Sequence, residues 1–412
     1  MPAETPPPDA NLAAGRCPVA HGSRKTGPTD RPQAELEQDS AGVWHVYGHS
    51  VALQILRSPC TRQAGFRADE FFATPQVTKT PVVFLDGDEH REHRRLTARF
   101  FTLRAVVDNY QPAMESLADS TVATLTERRR MDLSELALTY ATGVVAQVLG
   151  LSGSDVPALA ARLEACFAAP LVPLSLNPRT WARLILNNAR IFQLYRADVR
   201  PAVALRRRGG AGPDDLISHL LGRGYRDRDI LTEVFLFAAA GMVTTREFIC
   251  VAAWHLLENP ALRAEYLAAG EARRHRVLQE TLRLEPVVQV LHRRATDDIR
   301  VRRTDGTQVV IAAAARIAVH TAHVNTDEAA AGGHPMDLCT NRVIRSERGR
   351  GALVGFGDGP HRCPGEHVAI QETDILLHRL MACDGVRLTG AVCQGRNDMV
   401  EGYELRGMTI EL

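Results

Sequence analysis

The sequence is poor in features that would place it at once, and each absence excludes something. Net charge is only +1 over 412 residues, so global charge makes no case for nucleic acid or an acidic membrane as a partner. Eight cysteines (Cys17, Cys60, Cys166, Cys250, Cys339, Cys363, Cys383 and Cys393) are scattered, and no pair has CxxC spacing. That removes the usual zinc patterns and argues against a disulfide framework. It points instead to a reducing cytoplasm, with most thiols acting as small inert side chains. The N-terminal stretch MPAETPPPDANLAAGRCPVAHG has no basic segment followed by an apolar core, so it does not read as a secretory leader. The longest apolar run, VFLFAAAGMV from Val234 to Val243, is ten residues long and too short to span a bilayer. There is no internal repeat and no flavin or dinucleotide fingerprint.

What is present is enough apolar material for a large core, at 45% of the chain. Residues 1–31, rich in proline and polar side chains, read as a flexible tail. Residues 32–412 read as a single domain, mainly α with small β-sheets. GVWHVYGH (Gly42 to His49) alternates like a strand, and SVALQILRS after it is helical in period. Helix follows helix from Glu89 to Arg208, broken by APLVPLSLNP (Ala169 to Pro178), which is either a core-capping connection or a lid over an apolar pocket. Asp229 to Asn259 reads as one long helix, apolar on nearly all faces in its middle and so placed at the centre of the protein. A helix through HRVLQETLRLEP stops at Pro286. VRRTDGTQVVIAAAARIAV then reads as strands joined at a DG turn, and a last helix starts at Pro364.

The segment GFGDGPHRCPG, Gly355 to Gly365, encloses one cysteine in a tight loop. Taken alone, Cys363 could be a buried inert thiol. The loop argues otherwise. Gly357 and Gly359 permit positive φ and close approach of a ligand. Pro364 suits the first turn of a helix, which puts Cys363 at its cap, where unpaired N–H groups and the dipole favour a thiolate. Such a thiolate, covered by Phe356, is a soft metal ligand.

The loop resembles the haem-binding signature of the soluble bacterial cytochromes P450, Phe-Gly-x-Gly-x-His-x-Cys-x-Gly, as Phe356, Gly357, Gly359, His361, Cys363 and Gly365. Other segments match in the family's order. ETLR, Glu280 to Arg283, is similar to its Glu-x-x-Arg core lock. HREHR supplies His90 and Arg94, and RRAT supplies Arg293, which with His361 would hold the haem propionates. AAGMVTT, Ala239 to Thr245, resembles the oxygen-groove motif. Small Ala240 and Gly241 would let a macrocycle lie against the helix, and the Thr244 hydroxyl would bond a carbonyl near Ala240 and open the helix there. The resemblance covers about Gly42 to Leu412. It departs at Val243, where an acid is common, at Ile370, where arginine is frequent, and in the degenerate stretch PMDLCTNRVIR.

The resemblance implies the P450 fold, with haem b between the long central helix and the cysteine loop and Cys363 as axial thiolate. It implies a monooxygenase of a small, largely apolar natural product, with ferredoxin and ferredoxin reductase as electron donors and a cytoplasmic monomer that binds neither nucleic acid nor membrane. Thr244 would hold the iron-bound oxygen, and Thr245 or Arg246 could supply protons in place of the missing acid. Met242, Val243, Val287, Val288, Gln289, Val290, His292 and Tyr403 are candidate pocket residues, with Gln289, His292 and Tyr403 as polar anchors. Arg91, Arg95, Arg345, Arg348, Arg350 and Arg362 are candidates for a basic patch that steers an acidic donor, or an ordinary solvated surface. Two alternatives stay open: oxidative coupling, cyclisation or desaturation without net oxygen insertion, prompted by Val243, and a haem-thiolate protein that binds without turnover.

Overall fold

A computed structural model of the chain describes residues 20–28, 30, 32, 34–66, 68, 79–168, 178–209, 215–342, 344 and 351–412. The expected lid at Ala169–Pro178 lies outside them apart from its last residue, as do Arg345, Arg348 and Arg350. The fold is mainly helical with small sheets. Its axis is one apolar helix, Asp227–Ala238, continued through a π turn at Ala239–Val243 into Thr244–Glu258. This rod is long and apolar enough to cross a membrane by length and composition alone, but it is mostly buried in protein. It ends where the Asn259 side chain caps the next helix by accepting from the Leu262 N–H at 3.0 Å, with Pro260 at that helix's first turn.

The largest apolar cluster surrounds the second half of the rod. It joins the helices Gln111–Arg128, Leu133–Leu149, Glu271–Leu284 and Glu366–Met381 through residues such as Met114, Tyr140, Ile249, Leu278 and Leu377. The Leu133 helix starts at Asp132, whose carboxylate accepts from Ser134 and Glu135 N–H groups, and ends at Gly150 with φ +88°. A second cluster packs the first half of the rod against Leu138, Val145, Leu163 and Leu216. Beside them stands a five-stranded sheet in the order Leu36–Gln38, Trp44–Val46, Arg316–His320, Val290–Ala295, Thr61–Gln63. Trp44–Val46 runs parallel to Arg316–His320 and the other pairs are antiparallel. The DG turn joins Ile299–Arg302 to Gln308–Ile311, with Gly306 at φ +86°.

Three expectations need correction. Residues from Ala20 onward are not a tail. Ala20–Ser23 pairs with Asp337–Cys339, and buried Arg24 donates to the Leu284 and Ala322 carbonyls at 2.8 and 2.6 Å. Thr26 donates to the fully buried Glu285 carboxylate, which also meets His255 at 2.9 Å. Tertiary bonding overrides a composition that favours coil. Among the cysteines, Cys339 is disulfide-bonded, while Cys60, Cys166, Cys250, Cys363, Cys383 and Cys393 are free thiols. The last helix begins at Glu366 with Gly365 as cap, so Cys363 sits just before the cap rather than on it.

Candidate functional site

Two parts of the fold carry the expected site residues. In one, the rod loosens. The Thr244 hydroxyl donates to the Ala240 carbonyl at 2.5 Å, within the π turn that the small residues of AAGMV allow. Ala240 is exposed there, although its neighbours Ala239 and Met242 are buried. Gly241 stays small for a second reason, since a Cβ would stand 2.7 Å from the Val145 side chain.

In the other lies the cysteine loop. Gly357 and Gly359 both have φ +69°, and a Cβ at Gly359 would fall 2.0 Å from the Leu56 carbonyl oxygen, so that position admits no side chain. The Cys363 N–H donates to the Phe356 carbonyl at 2.9 Å, closing the loop beneath its side chain. The Cys363 side chain is exposed yet ringed by protein. Burial pushes its thiol up, while the Gly365 N–H and the Arg94 and Arg362 guanidiniums oppose that shift. A Cβ at Gly365 would stand 3.9 Å from Cys363 Sγ, an ordinary contact distance.

Cationic side chains collect around this loop. Arg293 is buried on the Val290–Ala295 strand and burial lowers it to about 10. Its Nη1 donates to Gln63 and to the His292 carbonyl, and among the described residues no carboxylate stands within ion-pair distance of it. Arg94 donates to the Arg362 carbonyl at 2.5 Å and likewise lacks a described carboxylate partner. His90 is buried with its ring stacked on His361, centroids 4.2 Å apart. Burial, then His361 and Arg94, bring it down to about 4. His361 Nε2 meets Asp86 Oδ1 at 2.9 Å, a partner the sequence did not suggest. Buried cations without anions are costly. A bound group with two carboxylates would balance Arg94 and Arg293 and meet the open Cys363 side chain. By charge and soft donor, these residues fit a haem.

The rest of the constellation supports the loop. Arg283 is wholly buried and donates to both Glu280 oxygens at 2.7 and 2.9 Å, with further bonds to the Asn325, Pro335 and Asp337 carbonyls. Arg342, missed in the degenerate stretch, joins Glu280 at 2.8 Å. Thr245 does not open on the groove: its hydroxyl donates to Glu372 at 3.1 Å on the Glu366–Met381 helix. Glu372 is buried and its carboxyl is pushed well above the usual range by that burial. Arg246 is committed to Glu164 and Glu247 at 3.0 and 2.8 Å, so it is a structural cation.

Several pocket candidates are core residues instead. Met242 and Val243 pack into the second apolar cluster. Val287 and Tyr403 lie in the main core, where the Tyr403 hydroxyl donates to the Glu285 carbonyl at 3.1 Å. Val288, Gln289, Val290 and His292 are half-buried. Of these, Val288 packs with the second cluster, Gln289 lies against Gly27, and His292 comes 3.6 Å from Glu401 on the C-terminal hairpin. In the suggested basic patch, Arg91 pairs with Asp88, Arg95 with Glu92 and Arg362 with Glu366, which leaves these charges locally balanced.

Residues 275–382, which hold the Glu280–Arg283 pair and the cysteine loop, match the family model described as Cytochrome P450. The chain belongs to the cytochrome P450 family. It is similar to pentalenic acid synthase of Streptomyces avermitilis, at 28% identity over 90% of this chain and 91% of the relative. It is also similar to erythromycin C-12 hydroxylase of Saccharopolyspora erythraea, at 27% identity over 88% and 86%. Among solved structures, CalO2 superposes with a TM-score of 0.76 at 21% identity, covering 92% of this chain and 93% of that one, a likeness of fold. This P450 is therefore an oxidoreductase whose cofactor is a haem with cysteine-ligated iron.

Proposed function

We propose that this P450 is a monooxygenase that oxidises a small, largely apolar natural-product-type substrate with dioxygen and electrons from a ferredoxin and its reductase. The observation that carries the reading is the glycine-shaped loop that leaves the Cys363 side chain open, with the Arg94 guanidinium acting on it and Arg293 buried without a described carboxylate partner. Cys363 would hold the iron, and the bound haem supplies dioxygen activation and electron acceptance. Arg94 and Arg293, with His90 and His361, would hold the propionate carboxylates. Phe356, Gly357 and Gly365 shape the loop around the thiolate. The Thr244 Oγ1 proton, now given to the Ala240 carbonyl, can be offered to the open side of the groove by rotation about χ1. The names of the relatives, one of them a hydroxylase, agree with this reading.

Ferredoxin enters because the sequence has no flavin or dinucleotide fingerprint of its own, and we place the protein in the cytoplasm as a monomer. A second reading, oxidative coupling, cyclisation or desaturation, is favoured by one observation: Val243 is packed among apolar side chains and carries no acid. The test has two stages. Reduced protein with carbon monoxide should give the red-shifted Soret band of thiolate ligation. A substrate found by its Soret shift should then incorporate label from dioxygen. Turnover without label would support the second reading, and absence of substrate-dependent electron uptake would sink both.

A further inference from the structure

One covalent bond takes no part in holding a haem. Cys339 is disulfide-bonded and only 3% exposed. Its strand, Asp337–Cys339, pairs antiparallel with Ala20–Ser23, and Ala20 stands directly opposite Cys339. Of the eight cysteines, Cys60, Cys166, Cys250, Cys363, Cys383 and Cys393 are free thiols. That leaves Cys17, which lies outside the described residues and three positions before Ala20. Three residues reach about 10 Å along a chain, enough to bring Cys17 beside the residue that Ala20 opposes.

The bond sits at the outer end of an arm, residues 20–28, that lies across the end of the helix Glu271–Leu284. His21 Nε2 meets Glu265 at 3.0 Å, and the Arg24 N–H donates to the Met336 carbonyl at 3.1 Å. The Arg24 guanidinium is spent on the Leu284 and Ala322 carbonyls. The Lys25 and Thr26 N–H groups donate to the two Glu285 oxygens at 2.5 and 2.9 Å. Burial alone would raise the Glu285 carboxyl, but His255 and these arm donors outweigh it and hold it below its ordinary value. The arm thus seals a buried charge. It does so with polar bonds, because AHGSRKTGP carries no large apolar side chain to anchor it. A chain end held this way frays unless something ties it down.

We propose that Cys17 and Cys339 form a redox clamp, whose reduction by a dithiol releases the arm from Glu285. In the cytoplasm proposed above, on which this inference rests, a disulfide is usually a transient, redox-responsive bond and not a permanent one. Cys339 is buried, so a thiolate of the dithiol attacks the Cys17 sulfur and Cys339 leaves. The second thiol of the reductant then resolves the mixed disulfide. Both cysteines end as thiols carrying the two hydrogens of the dithiol, and the dithiol ends as a disulfide. The arm, no longer pinned at its outer end, opens more often and lets water reach Glu285 and His255.

The test uses the full chain, with dithiothreitol as the dithiol. Protein denatured and digested with trypsin without reductant, its free thiols blocked, should yield peptide 17–24 joined to peptide 317–342. Dithiothreitol added to the native protein should separate the two. Trypsin reaches Arg24 and Lys25 in native protein only when the arm is open. Cleavage there, and amide exchange at residues 24–26, should therefore rise about tenfold on reduction. Cys17→Ser should show the raised rates from the outset and should not respond to dithiothreitol. A Cys339 peptide joined to any other cysteine, or to a second chain, overturns the proposal. So do Cys17→Ser rates that match oxidised wild type. A bond that yields to dithiothreitol only in denaturant is equally fatal, since it would be a permanent tie. Complete bonding in cells whose thiols are blocked at lysis would fault the cytoplasmic placement separately, because the dithiol response is read in purified protein.

Discussion

Removing the Glu280 carboxylate tests the support beneath the cysteine loop. Glu280 accepts four hydrogen bonds, two from Arg283, one from Arg342 and one from the Cys339 N–H. In Glu280→Ala, Arg283 keeps three backbone carbonyls but loses its counter-charge at zero exposure. Summing charge-assisted bonds at about 1.5–3 kcal/mol each would overshoot, because the carbonyls still solvate the guanidinium. The relevant quantity is a broken buried pair, about 3–5 kcal/mol. Against a total stability of about 5–15 kcal/mol, that is enough to empty the folded, haem-loaded state in many conditions. Glu280→Gln, which keeps the shape and loses the charge, should fall between Glu280→Ala and wild type. The assay is urea unfolding followed by far-UV circular dichroism and by the fraction of haem in the thiolate form. Arg91→Ala is the control: its pair with Asp88 has the same i, i+3 spacing but is 74% and 91% exposed, and it should show no measurable loss. A Glu280→Ala protein that is fully haem-loaded and within about 1 kcal/mol of wild type would refute the reasoning.

Other outcomes follow from the same geometry. Cys363→Ala should give no red-shifted carbon monoxide band, and a thiolate-type spectrum from haem-loaded Cys363→Ala would reassign the ligand. Val243→Glu should destabilise the fold by roughly 2–7 kcal/mol, since the new carboxyl enters an apolar cluster, and chemical denaturation will show it. Glu233 has a folded value near 8, above the ordinary 4.5, so its contribution to stability is full below about 4.5 and is lost as pH rises through about 8. Urea midpoints measured across about pH 5 to 9 should decline with a slope that Glu233→Gln reduces. Thr244→Ala should divert electrons from product to hydrogen peroxide, measured as product per electron consumed.

The cysteine loop was legible because its constraints are local. Gly357 and Gly359 adopt backbone angles that the sequence pattern demands, and the Thr244–Ala240 bond needs only a hydroxyl four residues from a carbonyl. Glu280 and Arg283 were legible as a pair, but Arg342 arrives across a fold-level separation that spacing does not encode. The pocket was read least well. Met242 and Val243 belong to the right stretch, yet both are buried in the second apolar cluster, which spacing along one helix does not reveal. Tyr403 carries a hydroxyl that looked like an anchor, but a buried carbonyl at Glu285 claims it. Nothing in the spacing of Asp229 and Glu233 marks them as buried, and only the docking of Lys79 and Val82 shows them to be buried acceptors.

The missing acid at Val243 has a sharper meaning once its neighbours are placed. In the stretch from Val243 to Arg246, three of the four side chains are committed elsewhere: Val243 to an apolar cluster, Thr245 to Glu372, and Arg246 to Glu164 and Glu247. The Thr244 hydroxyl alone among these four points back to the opened turn. A proton reaching that turn from this stretch of the rod must therefore pass through Thr244 Oγ1, or come from solvent or substrate in the space beside Ala240. If substrate supplies it, Thr244→Ala keeps its coupling on substrates that carry a hydroxyl or amine and loses it on purely apolar ones. If Thr244 supplies it, both classes uncouple alike. Comparing the two classes with one variant separates the routes, and unchanged coupling on both would remove Thr244 from oxygen activation while leaving the haem site intact.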